Sequence, residues 1–321
     1  MGDAEMPSAA DVVGAAARIR PFVHHTPVLT CRAIDAACGR PVLMKAEHLQ
    51  KVGAYKARGA TNQIQTLVER GVAVAGVVAA SSGNHGQALA WAAGLAGIPA
   101  TIVVPRTIAA PKRAAIEGYG ATVIVAEPEN EARLTIARDL AARQGLIDVP
   151  PYDHPVTIAG QGTWALEALV DAPAELDAVV VPIGGGGLAS GTALGAEAAG
   201  RSVEVYGVEP AGADDTLRSM RAGRVVAIEE PASVADALLA SRPGDLTFAI
   251  MRRRLSAVVT VTDDQIVAAM RLVWERAKQV VEPAGATALA AVMHRRIPGS
   301  GPVLVILSGG NVDLDAFRFP A

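Results

Sequence analysis

Four consecutive glycines, residues 184–187, constrain the fold of this chain more than any other stretch. They follow a β-branched run, residues 179–183, that is typical of a fully buried strand, and they precede a helix-compatible run, residues 188–199. Glycines lack a Cβ atom, so their N–H groups can converge on one point, and a helix start adds unpaired N–H donors and partial positive charge. The pattern predicts a phosphate-binding loop, with a tight turn between core elements as the alternative.

The phosphate bound by such a loop can belong to a dinucleotide. Gly184, Gly186 and Ala189 match the relaxed G-x-G-x-x-A fingerprint, and Glu209 lies about where a ribose-binding acid is expected. The glycine loop alone does not distinguish an NAD-binding oxidoreductase from other phosphate-binding enzymes, so the distinction depends on the rest of the chain.

Composition argues against several classes of protein. The net charge of −3 and the lack of a run of lysines and arginines disfavour nucleic-acid binding. Apolar stretches are interrupted before about 18 residues, and the acidic N-terminus lacks a basic segment, so neither a membrane span nor a signal peptide is predicted. Cys31 and Cys38 are too few and too badly spaced for a zinc site and are interpreted as reduced thiols. We therefore expect a soluble, cytoplasmic protein.

Strands and helices alternate along the chain, which predicts two α/β domains, each with a mainly parallel sheet flanked by helices. The first set of predicted strands is 76–80, 101–104 and 122–125, and the first set of helices is 87–95, 112–117 and 131–143. The second set of strands is 179–183, 203–208, 258–261 and 303–307, and two long helices are predicted at 263–278 and 283–294.

Polar or glycine-rich turns follow three of these strands, at residues 81–86, 184–187 and 308–311. Ligands of open α/β sheets bind at the carboxyl ends of the strands. We therefore expect all three turns to line one cleft.

Lys56 is the candidate for covalent chemistry. It lies in a turn of small residues just before a predicted helix at 59–70, and it is one of only five lysines in the chain. A lysine in a desolvated pocket has a lowered pKa, so its amine becomes a nucleophile that can form a Schiff base with an aldehyde cofactor. An exposed lysine at a helix start is the alternative. Together with a phosphate-binding loop, Lys56 points to pyridoxal phosphate (PLP).

Four motifs resemble the signatures of fold-type II PLP enzymes, which share the fold of the tryptophan synthase β subunit. They are residues 53–60 (GAYKARGA), 81–87 (SSGNHGQ), 184–187 (GGGG) and 308–311 (SGGN). Residues 158–163 (IAGQGT) and 208–210 (VEP) are similar to the serine racemase and serine/threonine dehydratase branch. The resemblance extends from about Arg18 to Asp313 and implies a large PLP-binding domain, residues 1–74 and 155–321, and a small mobile domain, residues 75–154.

The resemblance implies a role for each matching residue. Lys56 would bind PLP as a Schiff base and act as the base at the substrate Cα, and Ser82 would be the acid or base on the opposite face. Asn84 would hydrogen-bond the ring hydroxyl, and Ser308 would face the pyridine nitrogen, where a neutral hydroxyl favours β-elimination. The remaining cofactor contacts would be Gly184, Gly185, Gly186, Gly187 and Leu188. The substrate would be bound by Ser81, Ser82, Asn84 and His85.

The same branch has a divalent-cation site, which Glu209, Ala213 and Asp215 match. Two carboxylates and a backbone carbonyl suit Mg²⁺ or another hard divalent cation, which would be structural or allosteric. An ordinary turn rich in aspartate is the alternative.

Two other residues bear on the identity of the substrate. Ala237 stands where the branch commonly has glycine, and Tyr152 lies beside the crossing between the predicted domains, where it can meet the substrate side chain. Arg133 is interpreted as part of a solvated helix face, with a position lining the cleft as the alternative.

We therefore expect a PLP-dependent ammonia-lyase, or dehydratase, that converts L-threonine or L-serine to a 2-oxo acid and ammonia. A serine racemase is the nearest alternative, because Ser82 permits racemisation without requiring it. A bulkier β-hydroxy amino acid, such as phenylserine or 3-hydroxyaspartate, is an alternative substrate. The NAD-binding oxidoreductase and a non-catalytic amino-acid-binding protein are alternatives of other classes. The resemblance also implies a homodimer.

Overall fold

The computed structural model describes residues 6–81, 83–127, 130–173, 175–315 and 317–319. Its α-helices are Ala9–Ile19 (α1), Arg32–Cys38 (α2), Lys56–Glu69 (α3), Asn84–Leu95 (α4), Ala110–Gly118 (α5), Asn130–Gln144 (α6), Pro155–Asp171 (α7), Gly187–Ala198 (α8), Asp215–Ala222 (α9), Asp245–Arg254 (α10), Asp263–Leu272 (α11) and Pro283–Met293 (α12). Its strands are Val28–Leu29 (β1), Val42–Lys45 (β2), Val77–Ala80 (β3), Ala100–Pro105 (β4), Thr122–Ala126 (β5), Ile147–Asp148 (β6), Ala178–Pro182 (β7), Glu204–Pro210 (β8), Ala257–Val261 (β9) and Val303–Ile306 (β10).

The larger sheet has the strand order β1-β2-β10-β7-β8-β9 and is parallel except for β1, which runs antiparallel to β2. Every residue of β7 is buried, because helices cover both faces of the sheet. Val179 and Val181 pack with Trp164 on one face, whereas Val180 packs with Leu289 on the other. The continuous β-branched run of the sequence is the consequence of this burial on both sides.

The smaller sheet has the order β5-β4-β3-β6 and is parallel throughout. Alanines of α4 pack against Ile102 and Val104 of this sheet, and Ala60 and Ile64 of α3 complete the core. The predicted fold class, α/β with mainly parallel sheets flanked by helices, is confirmed. The predicted small domain, residues 75–154, stays a prediction. Helix α3 lies outside this range, yet it contributes to the core of the smaller sheet.

The backbones of α7 and α8 approach closely through glycines. A Cβ atom on Gly191 would lie 2.6 Å from the backbone nitrogen of Gly162, so neither helix has room for a side chain at the crossing. This contact holds α8 against α7, and α8 itself begins at the glycine turn after β7.

Two helices differ from their predicted extents. The helix predicted at 59–70 begins three residues earlier, so that Lys56 is its first residue. The helix predicted at 263–278 is α-helical only to Leu272 and continues as a π-helical segment, Val273–Ala277, before Lys278 adopts a left-handed backbone (φ 59°). None of the helices in the described ranges has the length and apolar character that a membrane span requires.

Candidate active site

A cleft lies between the two sheets, at the carboxyl ends of β3, β7 and β10. All three turns that the sequence singled out contribute to it. The first turn contributes Ser81, Gly83, Asn84 and His85, the second contributes residues 184–187, and the third contributes Ser308. Lys56, Leu188, Tyr152 and Ala237 also line the cleft. The structure thus brings together most of the residues for which the sequence predicted a role in cofactor or substrate binding.

The glycine turn forms the start of α8. Gly186 occupies the N-cap position with a left-handed backbone (φ 92°), and α8 begins at Gly187. A Cβ atom on Gly186 would lie 2.6 Å from Cε of Met251, and one on Gly187 would lie 2.8 Å from Cβ of Tyr152. The N–H groups of the first helical turn lack partners within the helix and lie at the positive end of its dipole. The turn therefore fits a phosphate group bound by bare backbone.

Lys56 extends into the cleft from the first position of α3. Its Nζ donates a hydrogen bond to the carbonyl of Pro151 at 2.7 Å and lies 5.3 Å from the centre of the Tyr55 ring. Burial lowers the pKa of the Lys56 amine from 10.5 to about 8. A larger fraction of this amine is therefore neutral near pH 7 than for a surface lysine, and the neutral form is the one that reacts with an aldehyde.

Asn84 and Ser308, which were predicted to contact the cofactor ring, are buried with 8% and 3% of their surface exposed. Nδ2 of Asn84 donates to Oε1 of Glu282 at 2.6 Å, and its Oδ1 accepts from Nδ2 of Asn311 at 2.8 Å. The Ser308 hydroxyl donates to the carbonyl of Ala284 over 3.4 Å, a long hydrogen bond. Each side chain keeps capacity for a further hydrogen bond to a ligand. Their contacts with the ring stay predictions.

Ser81 caps the helix that follows it. Its Oγ accepts hydrogen bonds from the backbone N–H groups of Gly83 and Gly86, at 3.3 and 3.0 Å, at the start of α4. The hydroxyl hydrogen of Ser81 remains able to donate to a substrate. Ser82 lies outside the described residues, so its predicted acid–base role stays a prediction.

His85 is held as a neutral imidazole. Its Nε2 lies 2.8 Å from the carbonyl of Val149, which can only accept, so this nitrogen carries the hydrogen. Burial, and secondarily the charge of Lys56, lowers the pKa of His85 to about 3. Nδ1 has no partner among the described residues and is an acceptor only. In this arrangement Nδ1 of His85 cannot donate, so a substrate carboxylate would depend on N–H groups of the first turn of α4. The predicted contact of His85 with the substrate stays a prediction.

Two further cations line the cleft, Lys112 and Arg133. Lys112 is paired with Asp236, with 2.6 Å between Nζ and Oδ2, so its charge is largely balanced. Arg133 is half-buried on α6, and burial lowers the pKa of its guanidinium. Of the two positions considered for Arg133, the structure shows the cleft and not the solvated helix face. Apolar residues are spread around α6, so its sequence does not indicate which face is buried.

The predicted cation ligands lie at the end of β8 and the start of α9. The Glu209 carboxylate accepts from the backbone N–H groups of Thr216 and Leu217, both at 2.9 Å, and thus caps α9. Ala213 and Asp215 are each 1% exposed, and neither carboxylate oxygen of Asp215 has a partner among the described residues. Burial raises the pKa of Glu209 to about 7, and burial together with the charge of Glu209 raises the pKa of Asp215 to about 8.

The carboxylates of Glu209 and Asp215 fit a hard cation only if backbone carbonyls or water molecules supply the remaining ligands. The part of the chain that the structure describes contains no cluster of three or more histidine, cysteine, aspartate or glutamate side chains suited to a metal. The position of Glu209 also argues against the dinucleotide alternative, because the acid that would bind a ribose caps a helix instead.

Glu282 is a cleft residue that was not predicted. It is the N-cap residue of α12 and only 2% exposed, and its Oε2 has no partner among the described residues. Burial, followed by the charge of Asp236, raises the pKa of the Glu282 carboxyl to about 7, against the opposing effects of Lys112 and Asn84. The sequence does contain an indication of this, because Glu282 directly precedes an apolar helix that begins with proline. If that end of the helix is buried, the Glu282 carboxylate must face a polar cavity.

Comparison with known proteins identifies close relatives. A family model described as pyridoxal-phosphate dependent enzyme matches residues 19–309. The L-threo-3-hydroxyaspartate ammonia-lyase of Saccharomyces cerevisiae is 43% identical over 313 residues, which cover 97% of this chain and 95% of that protein. Maize serine racemase superposes with a TM-score of 0.92 at 40% identity, covering 97% of this chain and 95% of its own. A PLP-dependent aspartate racemase superposes with a TM-score of 0.93 at 37% identity, covering 100% and 99%.

Proposed function

This chain belongs to the family of pyridoxal-phosphate-dependent enzymes, and we propose that it is an ammonia-lyase that converts a β-hydroxy amino acid to a 2-oxo acid and ammonia. Its fold is that of the type II enzymes of this family. One observation carries the proposal: the Lys56 amine, with its lowered pKa, lies in the same cleft as a glycine turn that begins a helix. The experiment that tests it follows 2-oxo acid and ammonia formation from a panel of β-hydroxy amino acids.

Different residues of the cleft would bind different parts of the cofactor and of the substrate. Lys56 would hold PLP at its aldehyde, the glycine turn at its phosphate, and Asn84 and Ser308 at its ring. When bound, PLP withdraws electrons from the substrate and makes the Cα–H bond acidic. Nζ of Lys56, with a pKa of about 8, is suited to take the Cα proton near neutral pH. The first turn of α4 would hold the α-carboxylate, so that the Cα–H bond faces Lys56.

The products follow from the balance of atoms. The substrate loses a proton from Cα and its hydroxyl from Cβ, which together make one water molecule. The enamine that leaves the cleft tautomerises to an imine, and hydrolysis of this imine consumes one water molecule and releases ammonia. The net products are therefore a 2-oxo acid and ammonia, with no oxidant or reductant.

Arg133 leads us to place L-threo-3-hydroxyaspartate first among the substrates, ahead of L-threonine and L-serine. A guanidinium binds a carboxylate with two parallel hydrogen bonds, which suits the second carboxylate of an acidic substrate. The planar guanidinium of Arg133 matches a carboxylate better than the ammonium of Lys112, so Arg133 is the cleft cation better suited to this role. Relatives named for acidic amino acids, the yeast ammonia-lyase and the aspartate racemase, support this choice.

Replacing Arg133 with methionine is expected to lower kcat/KM for L-threo-3-hydroxyaspartate by about 10- to 100-fold, because a charged hydrogen-bonded contact is lost. The loss is expected mainly in KM, and kcat/KM for L-serine is expected to stay unchanged. Arg143→Met on the same helix is the matched control, since the Arg143 side chain is 81% exposed. Equal losses for both substrates would contradict a role for Arg133 in selecting an acidic side chain.

Serine racemisation is the second candidate activity, supported by the similarity to maize serine racemase. Racemisation requires proton return from the face opposite Lys56, for which Ser82 is the predicted residue. Incubation of the holoenzyme with L-serine, with D-serine and pyruvate measured in the same sample, separates the two activities. D-serine in excess of pyruvate would make racemisation the main reaction.

We further propose that Asp215 and Glu209 bind a divalent cation, because the buried Asp215 carboxylate has no hydrogen-bond partner among the described residues. Mg²⁺ or Ca²⁺ at 100 times its dissociation constant is expected to stabilise the protein by about 2.7 kcal/mol. A thermal unfolding series with each cation and with EDTA measures this effect. Asp215→Asn should remove the response, whereas Asp214→Asn, a neighbour paired with Arg218, should keep it. A wild-type protein that unfolds at the same temperature in all these conditions would rule the site out.

The homodimer and the division into domains stay predictions. Light scattering of the purified protein tests the first. Limited proteolysis, with cleavage expected near residues 75 and 154 before other sites, tests the second.

A further inference from the structure

Asn84 is the predicted partner of the cofactor ring hydroxyl, and a side-chain amide can present either its oxygen or its nitrogen to a ligand. The orientation of the amide decides whether Asn84 accepts or donates. In this structure neighbouring side chains hold both ends: Glu282 accepts from Nδ2 at 2.6 Å, and Asn311 donates to Oδ1 at 2.8 Å.

Asn311 is anchored by the main chain. Its Nδ2 also donates to the carbonyl of Val52 at 2.8 Å. A backbone carbonyl can only accept, so Asn311 must place its nitrogen there, and the second hydrogen of that nitrogen goes to Asn84. Val52 and Gly53 have left-handed backbones (φ 55° and 69°), an uncommon conformation for valine. The protein thus holds a strained turn at the place where the Val52 carbonyl meets Asn311.

Glu282 acts on the other end of the amide. Its backbone N–H donates to the carbonyl of Gly309 at 3.1 Å, which holds Glu282 beside the turn that carries Asn311. A Cβ atom on Gly309 would collide with Oε1 of Glu282 and would lie 3.2 Å from Nδ2 of Asn84. The turn at residues 308–311, which the sequence singled out, therefore leaves room for the contact between Glu282 and Asn84 and supplies the asparagine that orients it.

We propose that Asn311 and Glu282 are positioning residues that fix Asn84 as a hydrogen-bond donor toward the cofactor ring. Asn311 donates to Oδ1 and Glu282 accepts one hydrogen of Nδ2, so the amide is held in one orientation and its other Nδ2 hydrogen is available to the cleft. Donation to the ring oxygen stabilises its anionic form, and the absorbance of bound PLP reports on that form. The inference rests on the cofactor of the proposed function and is independent of the substrate.

Two variants test this inference by PLP binding to the full-length chain, without turnover. Asn311→Asp replaces the anchoring amide with a group that only accepts, which disfavours its contacts with both the Val52 carbonyl and Oδ1 of Asn84. Glu282→Gln keeps the shape of the side chain but, at pH 8 and above the raised pKa of Glu282, removes the charge that accepts from Nδ2 of Asn84, so PLP binding is compared at that pH. Each is expected to weaken PLP binding by about tenfold or more, the effect of losing a charged hydrogen bond, and to shift the visible absorbance maximum of bound PLP.

Asn62→Asp is the matched control, because Asn62 is also a buried amide engaged at both ends. Its Nδ2 donates to the carbonyl of Val156 at 2.7 Å, and its Oδ1 accepts from Arg18 at 2.8 Å, away from the cleft. This variant is expected to keep the PLP affinity and the absorbance of the wild type, whatever it does to stability.

A double variant shows whether Glu282 acts through Asn84. If it does, Glu282→Gln has no further effect on PLP affinity or absorbance in an Asn84→Ala background. An equal effect with and without Asn84 would overturn the proposal, and so would wild-type affinity and absorbance in both single variants. If Asn311→Asp does not fold, Glu282→Gln alone and in the Asn84→Ala background decides whether the proposal holds. A wild-type chain that binds no PLP would instead overturn the cofactor assignment of the proposed function.

Discussion

Lys56→Ala is expected to abolish ammonia-lyase turnover, with a loss in kcat of at least about 10⁴-fold. The variant lacks the amine that would attach PLP and take the Cα proton, so two functions are lost at once. The same variant is expected to lack the visible absorbance of attached PLP. Borohydride treatment followed by peptide mass spectrometry should find the pyridoxyl group on residue 56 of the wild type and nowhere on the variant.

Lys51→Ala is the control for this prediction. Lys51 lies five residues away in the short helical turn before α3 and does not line the cleft. Turnover, absorbance and the labelled site are expected to remain as in the wild type. A Lys56→Ala protein that still turns over β-hydroxy amino acids would show that another group removes the Cα proton.

Arg58→Met is expected to lower the free energy of unfolding by about 3–5 kcal/mol, because it leaves a buried carboxylate without its partner. Arg58 is 1% exposed, and it donates from Nε and Nη2 to the two carboxylate oxygens of Glu47, at 2.8 and 2.7 Å. Its Nη1 donates to Glu167 at 3.0 Å, and Glu167 also binds Lys45. Glu47 is fully buried, and despite this burial the charge of Arg58 holds its pKa below the usual value.

This prediction matters for function because Arg58 lies in the first turn of α3, two residues after Lys56. The ion network ties that turn to α7 and to the chain after β2. A loss of about 3–5 kcal/mol is a large fraction of the stability of a typical protein. Urea unfolding of the holoenzyme measures it through the midpoint and slope.

Two further variants test whether the loss of stability comes from the buried Glu47 carboxylate that Arg58→Met leaves unpaired. Arg143→Met removes an exposed pair with Asp139 and is expected to change stability by less than about 1 kcal/mol. Adding Glu47→Gln to Arg58→Met should recover part of the loss, since the unpaired charge is then removed. If Arg58→Met unfolds at the same urea concentration as the wild type, the network does not stabilise the fold.

Some of the site was predictable because its chemistry is local in sequence. The glycine turn needs residues without side chains, and four glycines in a row are visible in the sequence. In the structure a Cβ atom added at Gly186 or Gly187 would clash with neighbouring residues. Three turns after strands were expected to line one cleft, because ligands of open α/β sheets bind at the carboxyl ends of the strands, and they do. The turns after β7 and β10 leave the same edge of the larger sheet, whereas the turn after β3 belongs to the smaller sheet. These inferences needed only residue type, order and the handedness rule for parallel connections.

Other parts of the site depend on contacts between residues far apart in the chain. Apolar residues are spread around α6, so its sequence does not show whether Arg133 faces solvent or the cleft, and only the packing of that helix brings Arg133 to the cleft. Glu282 and Asn84 are 198 residues apart, and no local pattern pairs them. The tautomer of His85 follows from the carbonyl of Val149, which is 64 residues away.

The sequence by itself determined the fold class and singled out the glycine turn and the lysine that share the cleft, because strand periodicity, glycine backbone freedom and motif order are properties of neighbouring residues. Only the tertiary structure decided which charges face the cleft, how Asn84 is oriented and which protonation states burial imposes. The physical reason is that a pKa, a hydrogen-bond direction and the buried side of a helix all depend on atoms that folding brings close together. Residues that are far apart in the sequence give no sign of which of them will become neighbours.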